Sequence, residues 1–200
     1  MEIDFSDRQI TLDKELNDLD KLVIDFVNVL DKSNINYVLI SGYVAILFGR
    51  SRSSEDIDVI VERMSEERFL ALSVELAKSF DCIITENPKD AYDTYLSQRA
   101  SIRFARKGEF VPNMEFMFPK APDLDNWVLA NRIEVILNGI SLKISPIELQ
   151  IPYKLFLGSS KDIEDARHLY MLFKDRLDKG LLTQFLIKLD KEGRFNKYLT

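Results

Sequence analysis

The spacing of apolar residues changes early in the chain from a helical period to strand-like runs. Over residues 12–30 apolar side chains recur every three or four positions, which predicts one amphipathic helix. Residues 37–40 form a short β-branched and aromatic run typical of a buried strand, and a Ser-Gly pair at 41–42 ends it. The short apolar run 43–48 before Gly49 favours a two-turn helix with a glycine cap. The order predicted here is strand, tight turn and helix.

The middle of the chain shows alternation, which indicates strands. Residues 55–61 alternate acidic and apolar side chains before an apolar finish, and Ser65 with two following glutamates is a typical helix start. Three further strands are predicted over 81–85, 99–105 and 114–118, the last two as antiparallel neighbours.

The last strands and the first C-terminal helix carry clear turn and cap signals. The Asn-Gly pair at 138–139 predicts a hairpin over residues 132–144, because a two-residue primed turn needs positive φ at both positions. Residues 145–148, Ser-Pro-Ile-Glu, have the form of a capping box with proline at the first helical position. Pro152 lies in the second turn, so we expect either an offset start or a kink near Ile151.

No repeat or linker divides the chain. We expect an α/β (α+β) core with an N-terminal helix over residues 1–144, in which a mixed sheet is flanked by helices. A helical C-terminal portion is expected over residues 145–200, with further helices after Ser160 and over 178–189.

Composition and charge exclude several classes of protein. Of the 200 residues 46% are hydrophobic and 30% charged, with only 7 Gly and 6 Pro, which excludes disordered and collagen-like chains. The net charge of -6 argues against broad capture of nucleic acid or anionic membrane. One cysteine, Cys82, allows neither an intrachain disulfide nor a cysteine zinc cluster. Without a signal-like N-terminus or a run of 18 apolar residues, we expect a cytoplasmic protein that does not contact a membrane.

Two carboxylates on the second strand are the first candidates for chemistry. Asp56 and Asp58 point to the same face of an extended strand, with Ile57 on the other face. Like charges this close repel unless a cation lies between them, and magnesium, with manganese as the substitute, prefers such oxygen ligands. Metal-assisted transfer usually needs a third carboxylate on a neighbouring strand. We choose Glu115, between Met114 and Phe116, for this role.

The turn before the short helix is the candidate anion site. Gly42 permits close approach of the backbone, and the amides of the following helix offer free donors, so Ser41 and Gly42 suit the phosphates of a nucleoside triphosphate (NTP). Arg52 in the following loop is a candidate phosphate contact, and Arg50 a weaker one. Glu109 and Glu134 also lie in or near strands and are the substitutes for Glu115.

These motifs resemble the DNA polymerase beta-like nucleotidyltransferase superfamily. Its signature is a Gly-Gly or Gly-Ser turn after a strand, then an acid-apolar-acid strand and a later apolar-acid-apolar strand. Here the three motifs are Ser41-Gly42, Asp56-Ile57-Asp58 and Met114-Glu115-Phe116, with serine in place of the first glycine. Residues 41–58 look most like the stand-alone prokaryotic branch, some members of which are toxins of abortive-infection toxin–antitoxin pairs.

The resemblance implies a magnesium-dependent enzyme that transfers a nucleoside monophosphate from an NTP. Lys154 is similar to a lysine that these proteins carry after the sheet, which implies a phosphate contact. The acceptor stays open between tRNA, a protein and a small molecule, and an antitoxin or regulator protein is the implied partner. We interpret Lys161, Asp162 and Asp165 as partners on a helix surface. The alternative function is an inactive module on the same fold that binds nucleotide or a protein partner.

Overall fold

The computed structural model describes residues 2–6 and 9–199. Within these residues the chain forms one nine-stranded mixed sheet in the order β1-β2-β8-β9-β3-β4-β7-β6-β5. The strands are Glu2–Ser6 (β1), Gln9–Asp13 (β2), Tyr37–Leu39 (β3), Asp56–Val61 (β4), Phe80–Cys82 (β5), Ile102–Arg106 (β6), Asn113–Met117 (β7), Ile133–Leu137 (β8) and Ile140–Ile144 (β9). The pairs β2/β8, β3/β9 and β4/β7 are parallel and the others antiparallel, so the predicted mixed α/β class is confirmed.

Helices fill the connections and follow the sheet. They are Asp18–Lys32 (α1), Gly42–Leu47 (α2), Glu66–Leu76 (α3), Pro88–Asp90 (α4, continued by a π-helical turn Ala91–Leu96), Pro122–Ala130 (α5), Ile147–Leu157 (α6), Ser160–Phe173 (α7), Lys179–Lys188 (α8) and Glu192–Tyr198 (α9). None of those in the described part of the chain combines the length and apolar character that crossing a bilayer requires.

The N-terminal helix is shorter than its apolar spacing predicts. Leu12 lies in β2, opposite Leu137 of β8, and the helix begins only after Asn17. The Asn17 side chain accepts a hydrogen bond from the Asp20 amide (2.9 Å), and the Asp20 carboxylate accepts one from the Asn17 amide (3.0 Å). This capping box fixes the helix start, because Leu12 and Leu16 suit a helical period as well as a strand and a connection.

The capping box predicted at residues 145–148 is wrong. The Ser145 hydroxyl accepts a hydrogen bond from the Gln150 side chain (2.6 Å), and the Glu148 carboxylate accepts one from the backbone amide of Asp178 (3.0 Å). Tertiary partners therefore take both side chains. The helix starts one residue later than the motif predicts, at Ile147, which is the offset start expected from Pro152.

Several local predictions are confirmed. Asn138 and Gly139 have φ values of 48° and 83° in the β8–β9 turn, Ser65 caps α3, and β6 and β7 are antiparallel neighbours. Alternation along the central strands separates two cores. Ile57 and Val59 face the larger core, whereas Ile60 and Met117 face a smaller core formed with α5, α6 and α8.

Candidate active site

The three predicted carboxylates lie on one face of two adjacent strands. Strands β4 and β7 are parallel neighbours, and their register places Asp58 opposite Glu115 and Asp56 opposite Asn113. Opposite residues of paired strands project to the same face, as do residues two positions apart in one strand. The sheet therefore brings together side chains that are 57 positions apart in the sequence (115 − 58 = 57). All three carboxylates are partly exposed beyond the apolar part of this face.

Burial and the crowding of the three carboxylates raise the pKa of Asp58. Burial, the charge of Glu115 and the charge of Asp56 raise its pKa from 3.8 to about 6. A hydrogen bond from the Ser41 hydroxyl and the charge of Lys154 act in the opposite direction. At neutral pH the group is therefore mostly ionised within a cluster that has too little positive charge.

Glu115 is engaged by the neighbouring strand. Its carboxylate accepts a hydrogen bond from the Ser101 hydroxyl (2.6 Å) and pairs with Arg103 on β6 (3.3 Å). Among the residues that the structure describes, no three acidic, His or Cys side chains already enclose one point as a metal cage. The donor chemistry of Asp56, Asp58 and Glu115 nevertheless fits a hard divalent cation, because every ligand atom is an oxygen and the three carboxylates have less positive charge beside them than they carry.

The two substitutes for Glu115 lie elsewhere. Glu134 is on β8, which β9 and β3 separate from β4, and hydrogen bonds from Lys143 and then Ser141 lower its pKa to about 2. Glu109 lies in the loop between β6 and β7, beside β5. The register with Asp58 thus makes Glu115 the third carboxylate of this face.

The turn at Ser41 and Gly42 has the geometry of a glycine pair. Ser41 has φ 62° and ψ -131°, a conformation that a residue with a side chain rarely adopts. Gly42 begins α2, and a Cβ atom there would lie 2.0 Å from Nη2 of Arg52. The Arg52 guanidinium therefore lies directly on the turn, and a side chain at position 42 would displace it.

Arg52 belongs to a buried charge cluster centred on Asp165, which we call the Asp165 cluster (Arg50, Arg52, Lys154, Asp162 and Asp165). The fully buried Asp165 carboxylate accepts hydrogen bonds from Nε of Arg50 (2.6 Å) and from Nε and Nη2 of Arg52 (both 3.1 Å). Nζ of Lys154 lies 3.0 Å from Asp165 and 2.8 Å from Asp162. Three cations thus share two carboxylates.

This cluster changes the interpretation of helix α7. Asp162 and Asp165 were expected on the helix surface, yet both are buried and bind Lys154 of α6. Burial raises the pKa of Asp162, but hydrogen bonds from Lys154 and Ser159 outweigh it and lower the pKa overall. The signal in the sequence is that Asp162, Asp165 and Leu169 share one helical stripe, which α6 covers. Lys154, at 2% exposure, lies within this cluster.

Sequence reasoning also missed the surroundings of Ser41. A cavity of about 50 Å³ adjoins this residue and is lined by Asp125, Gln150 and Tyr153, among others. Burial, followed by the charges of Asp125 and Asp58, raises the pKa of Tyr153, so its ring lies within electrostatic reach of the carboxylates. No motif marks these residues, because helices α5 and α6 reach the site only through tertiary packing.

Comparison with known proteins bears on the fold of the chain. No family model matches the chain, and no curated protein matches it. Among solved structures it is similar to an antigenic nucleotidyltransferase-like protein from Paracoccidioides brasiliensis, with a TM-score of 0.55 and 20% sequence identity over 88% of this chain and 89% of that one. The fold is nucleotidyltransferase-like. This likeness concerns the fold alone.

Proposed function

We propose that this protein is a magnesium-dependent nucleotidyltransferase that transfers a nucleoside monophosphate from an NTP to a hydroxyl group. The observation that carries the proposal is the shared face of Asp56, Asp58 and Glu115. The raised pKa of Asp58 supports it, because the cluster is short of the positive charge that a metal ion brings.

The cationic side of the site supports an NTP as the donor. Arg52 lies on the Ser41–Gly42 turn, and the charge of Lys154 reaches Asp58. We infer that phosphate oxygens bind at this turn, where Gly42 allows close approach of the backbone and Arg52 supplies charge-assisted hydrogen bonds. Buried Lys154 would act on the phosphates through its field rather than through direct contact.

Asp56, Asp58 and Glu115 would hold magnesium, or manganese in its place, and the ion would neutralise phosphate charge and acidify the acceptor hydroxyl. The acceptor oxygen would lose its proton to solvent and form a bond to the α-phosphorus, while the bond from that atom to the bridging oxygen breaks and pyrophosphate leaves. The contribution of the chain is to orient the two reactants. Such positioning supplies a large part of phosphoryl-transfer catalysis.

The test is titration of the purified protein with ATP, GTP, CTP and UTP, each with and without magnesium, beside Asp58→Asn. We expect magnesium-dependent heat of binding for the intact chain and its loss in Asp58→Asn, together with loss of pyrophosphate release by at least about a hundredfold once an acceptor is found. Asp175→Asn, an exposed site remote from the sheet, is the matched control and should behave as the unmutated chain. Unchanged nucleotide binding in Asp58→Asn would refute this assignment of the metal face.

The contacts of Glu115 favour a second candidate function, nucleotide or partner binding without turnover. Ser101 and Arg103 hold this carboxylate, and Ser41 occupies a conformation suited to glycine. Nucleotide binding that is independent of magnesium and yields no pyrophosphate with any acceptor would support this candidate instead.

The biological role is proposed only through the resemblance. A toxin paired with an antitoxin protein is compatible with transfer to tRNA, to a protein or to a small molecule. Growth arrest on expression of the intact chain, but not of Asp58→Asn, would support the toxin role, and radiolabel from the NTP would identify the acceptor class.

A further inference from the structure

A groove beside the edge strand β5 is separate from the proposed active site. It encloses about 530 Å³ between the end of α3, the strand β5 and the loop before β7. Its floor is apolar, and Ile84 and Phe110 stand at its rim with 39% and 73% of their surface exposed. An exposed phenylalanine next to an apolar cavity is typical of an interaction surface.

The outer edge of β5 has no neighbouring strand among the described residues. The Ile83 amide donates to the Arg103 carbonyl on β6, and hydrogen-bonded pairs alternate along an antiparallel ladder. Asp81 therefore pairs with β6, while the amide and carbonyl groups of Phe80 and Cys82 point away from the sheet. Because β5 is the last strand in the order, these groups lie along the outer edge of the sheet. They are donors and acceptors that another extended chain can use.

The groove is held open by the hydrogen bonds of its own loop. The Gly108 amide donates to the Asp81 carboxylate (3.0 Å), and the Asn113 side chain donates to the Phe110 carbonyl (3.2 Å). These bonds anchor both ends of the segment that carries Phe110. A partner would therefore meet a surface that needs little reordering, which lowers the entropic cost of binding.

The charge of the groove indicates the chemistry of the partner. The described residues that line it carry only acidic charges, those of Asp81, Glu86 and Glu109. The lysines that flank it in the sequence, at positions 78, 89 and 107, are not among its lining residues. A partner of complementary charge is basic.

We propose that β5 binds an extended segment of another protein in which apolar and basic side chains alternate. The segment would add a strand to the sheet through the outward backbone groups of Phe80 and Cys82. Its apolar side chains would fill the groove beside Phe110, and its basic side chains would pair with Glu86 and Glu109. This surface does not depend on the nucleotidyltransferase proposal.

The single cysteine of the chain allows a direct test, since Cys82 lies in the proposed contact and is partly exposed. The probe is a synthetic peptide of about eight alternating lysine and valine residues, long enough to span a short edge strand. We expect it to bind the purified chain in calorimetry and to slow alkylation of Cys82 about tenfold at saturation, because an added strand covers the thiol. The same peptide with N-methyl groups on alternate amides carries the same charge and should lose this protection.

A second pair of variants separates the groove from general charge attraction. Glu86→Lys with Glu109→Lys should weaken peptide binding by about tenfold or more. Glu67→Lys with Glu192→Lys, at two exposed sites outside the groove, changes the net charge equally and should leave binding within about twofold. Equal protection by the N-methylated peptide, equal weakening in both double variants, or concentration-dependent self-association that shields Cys82 without peptide would each overturn the proposal.

Discussion

The carboxylate face of β4 and β7 and the Asp165 cluster handle buried charge in opposite ways. On the sheet, Asp56, Asp58 and Glu115 are crowded together, and the pKa of Asp58 rises to about 6. In the Asp165 cluster, one fully buried carboxylate binds three cations, with Asp162 sharing only Lys154. In the first region Glu115 alone has an ion pair among the described residues, with Arg103, whereas in the second both carboxylates are bound by at least one cation.

The difference separates a structural charge cluster from the one that we propose binds a ligand. A buried cluster in which opposite charges pair with one another is chiefly structural, and breaking it leaves charges unpaired. An uncompensated carboxylate cluster destabilises the free protein, and a bound cation reverses this effect. On the proposed function, the carboxylates would hold the metal of a magnesium–triphosphate complex and Arg52 would contact its phosphates. The following predictions test this contrast between a structural and a functional charge cluster.

The largest expected effect is on the structural side. Asp165→Asn should lower the free energy of unfolding by about 3–5 kcal/mol, because it leaves Arg50, Arg52 and Lys154 without their common partner in a buried site. Urea denaturation measures this change. Glu164→Gln is the matched control, since the neighbouring carboxylate is about half exposed and its contacts with Arg50 and Arg167 are 3.7 Å long. A similar small loss in both variants would show that the cluster does not stabilise the fold.

A change of intermediate size and opposite sign is expected at Asp58. Its pKa is raised in the folded protein, so between pH 3.8 and about 6 the folded state keeps a proton that the unfolded chain releases. The contribution of Asp58 to the free energy of unfolding should therefore decrease as pH rises through this window and stay lower above it. Asp58→Asn should remove this decrease and be more stable than the intact chain at pH 7 by about 1–3 kcal/mol.

Urea denaturation across this pH range, with a chelator present, is the measurement. Asp175→Asn should keep the decrease seen in the intact chain. Magnesium should stabilise the intact chain at pH 7 and leave Asp58→Asn unchanged. An identical pH dependence in Asp58→Asn and the intact chain would contradict the proposed repulsion.

The smallest effect is expected at the turn that joins the two regions. Ser41→Gly should raise the free energy of unfolding by about 1 kcal/mol, because glycine adopts φ 62° without strain although it gains entropy in the unfolded chain. Ser41→Ala keeps the strain and removes the hydroxyl, and should be no more stable than the intact chain. Both variants should raise the pKa of Asp58, since each removes the Ser41 hydrogen bond, and carbon-13 NMR titration measures this shift. Equal stability of the glycine and alanine variants would exclude strain at Ser41.

Predictions from sequence succeeded where the deciding interactions are local. The Asn-Gly turn, the Ser65 cap and the alternation of β4 depend on a few adjacent residues, and the structure confirms all three. The carboxylates Asp56 and Asp58 were identified for the same reason, because their common face follows from the pleat of one strand.

Predictions failed where distant partners decide the outcome. Leu12 pairs with Leu137 in the sheet, so strand pairing replaces the predicted first turn of the helix. Ser145 accepts a hydrogen bond from Gln150 and Glu148 accepts one from Asp178, so these tertiary contacts replace the predicted capping box. The inward positions of Asp162 and Asp165 were also missed, since only the packing of α7 on α6 and α2 shows which helix face is covered.

The amino-acid sequence alone determined the strand–turn–helix order and the acid-apolar-acid strand, because both are short-range periodic properties. The tertiary structure decided the rest. It placed Glu115 opposite Asp58, set Arg52 on the turn and gathered three cations around Asp165, because sheet register and helix packing bring together residues far apart in the chain. Charge compensation depends on such distances, so only the folded chain shows which carboxylates are neutralised and which stay available for a cation.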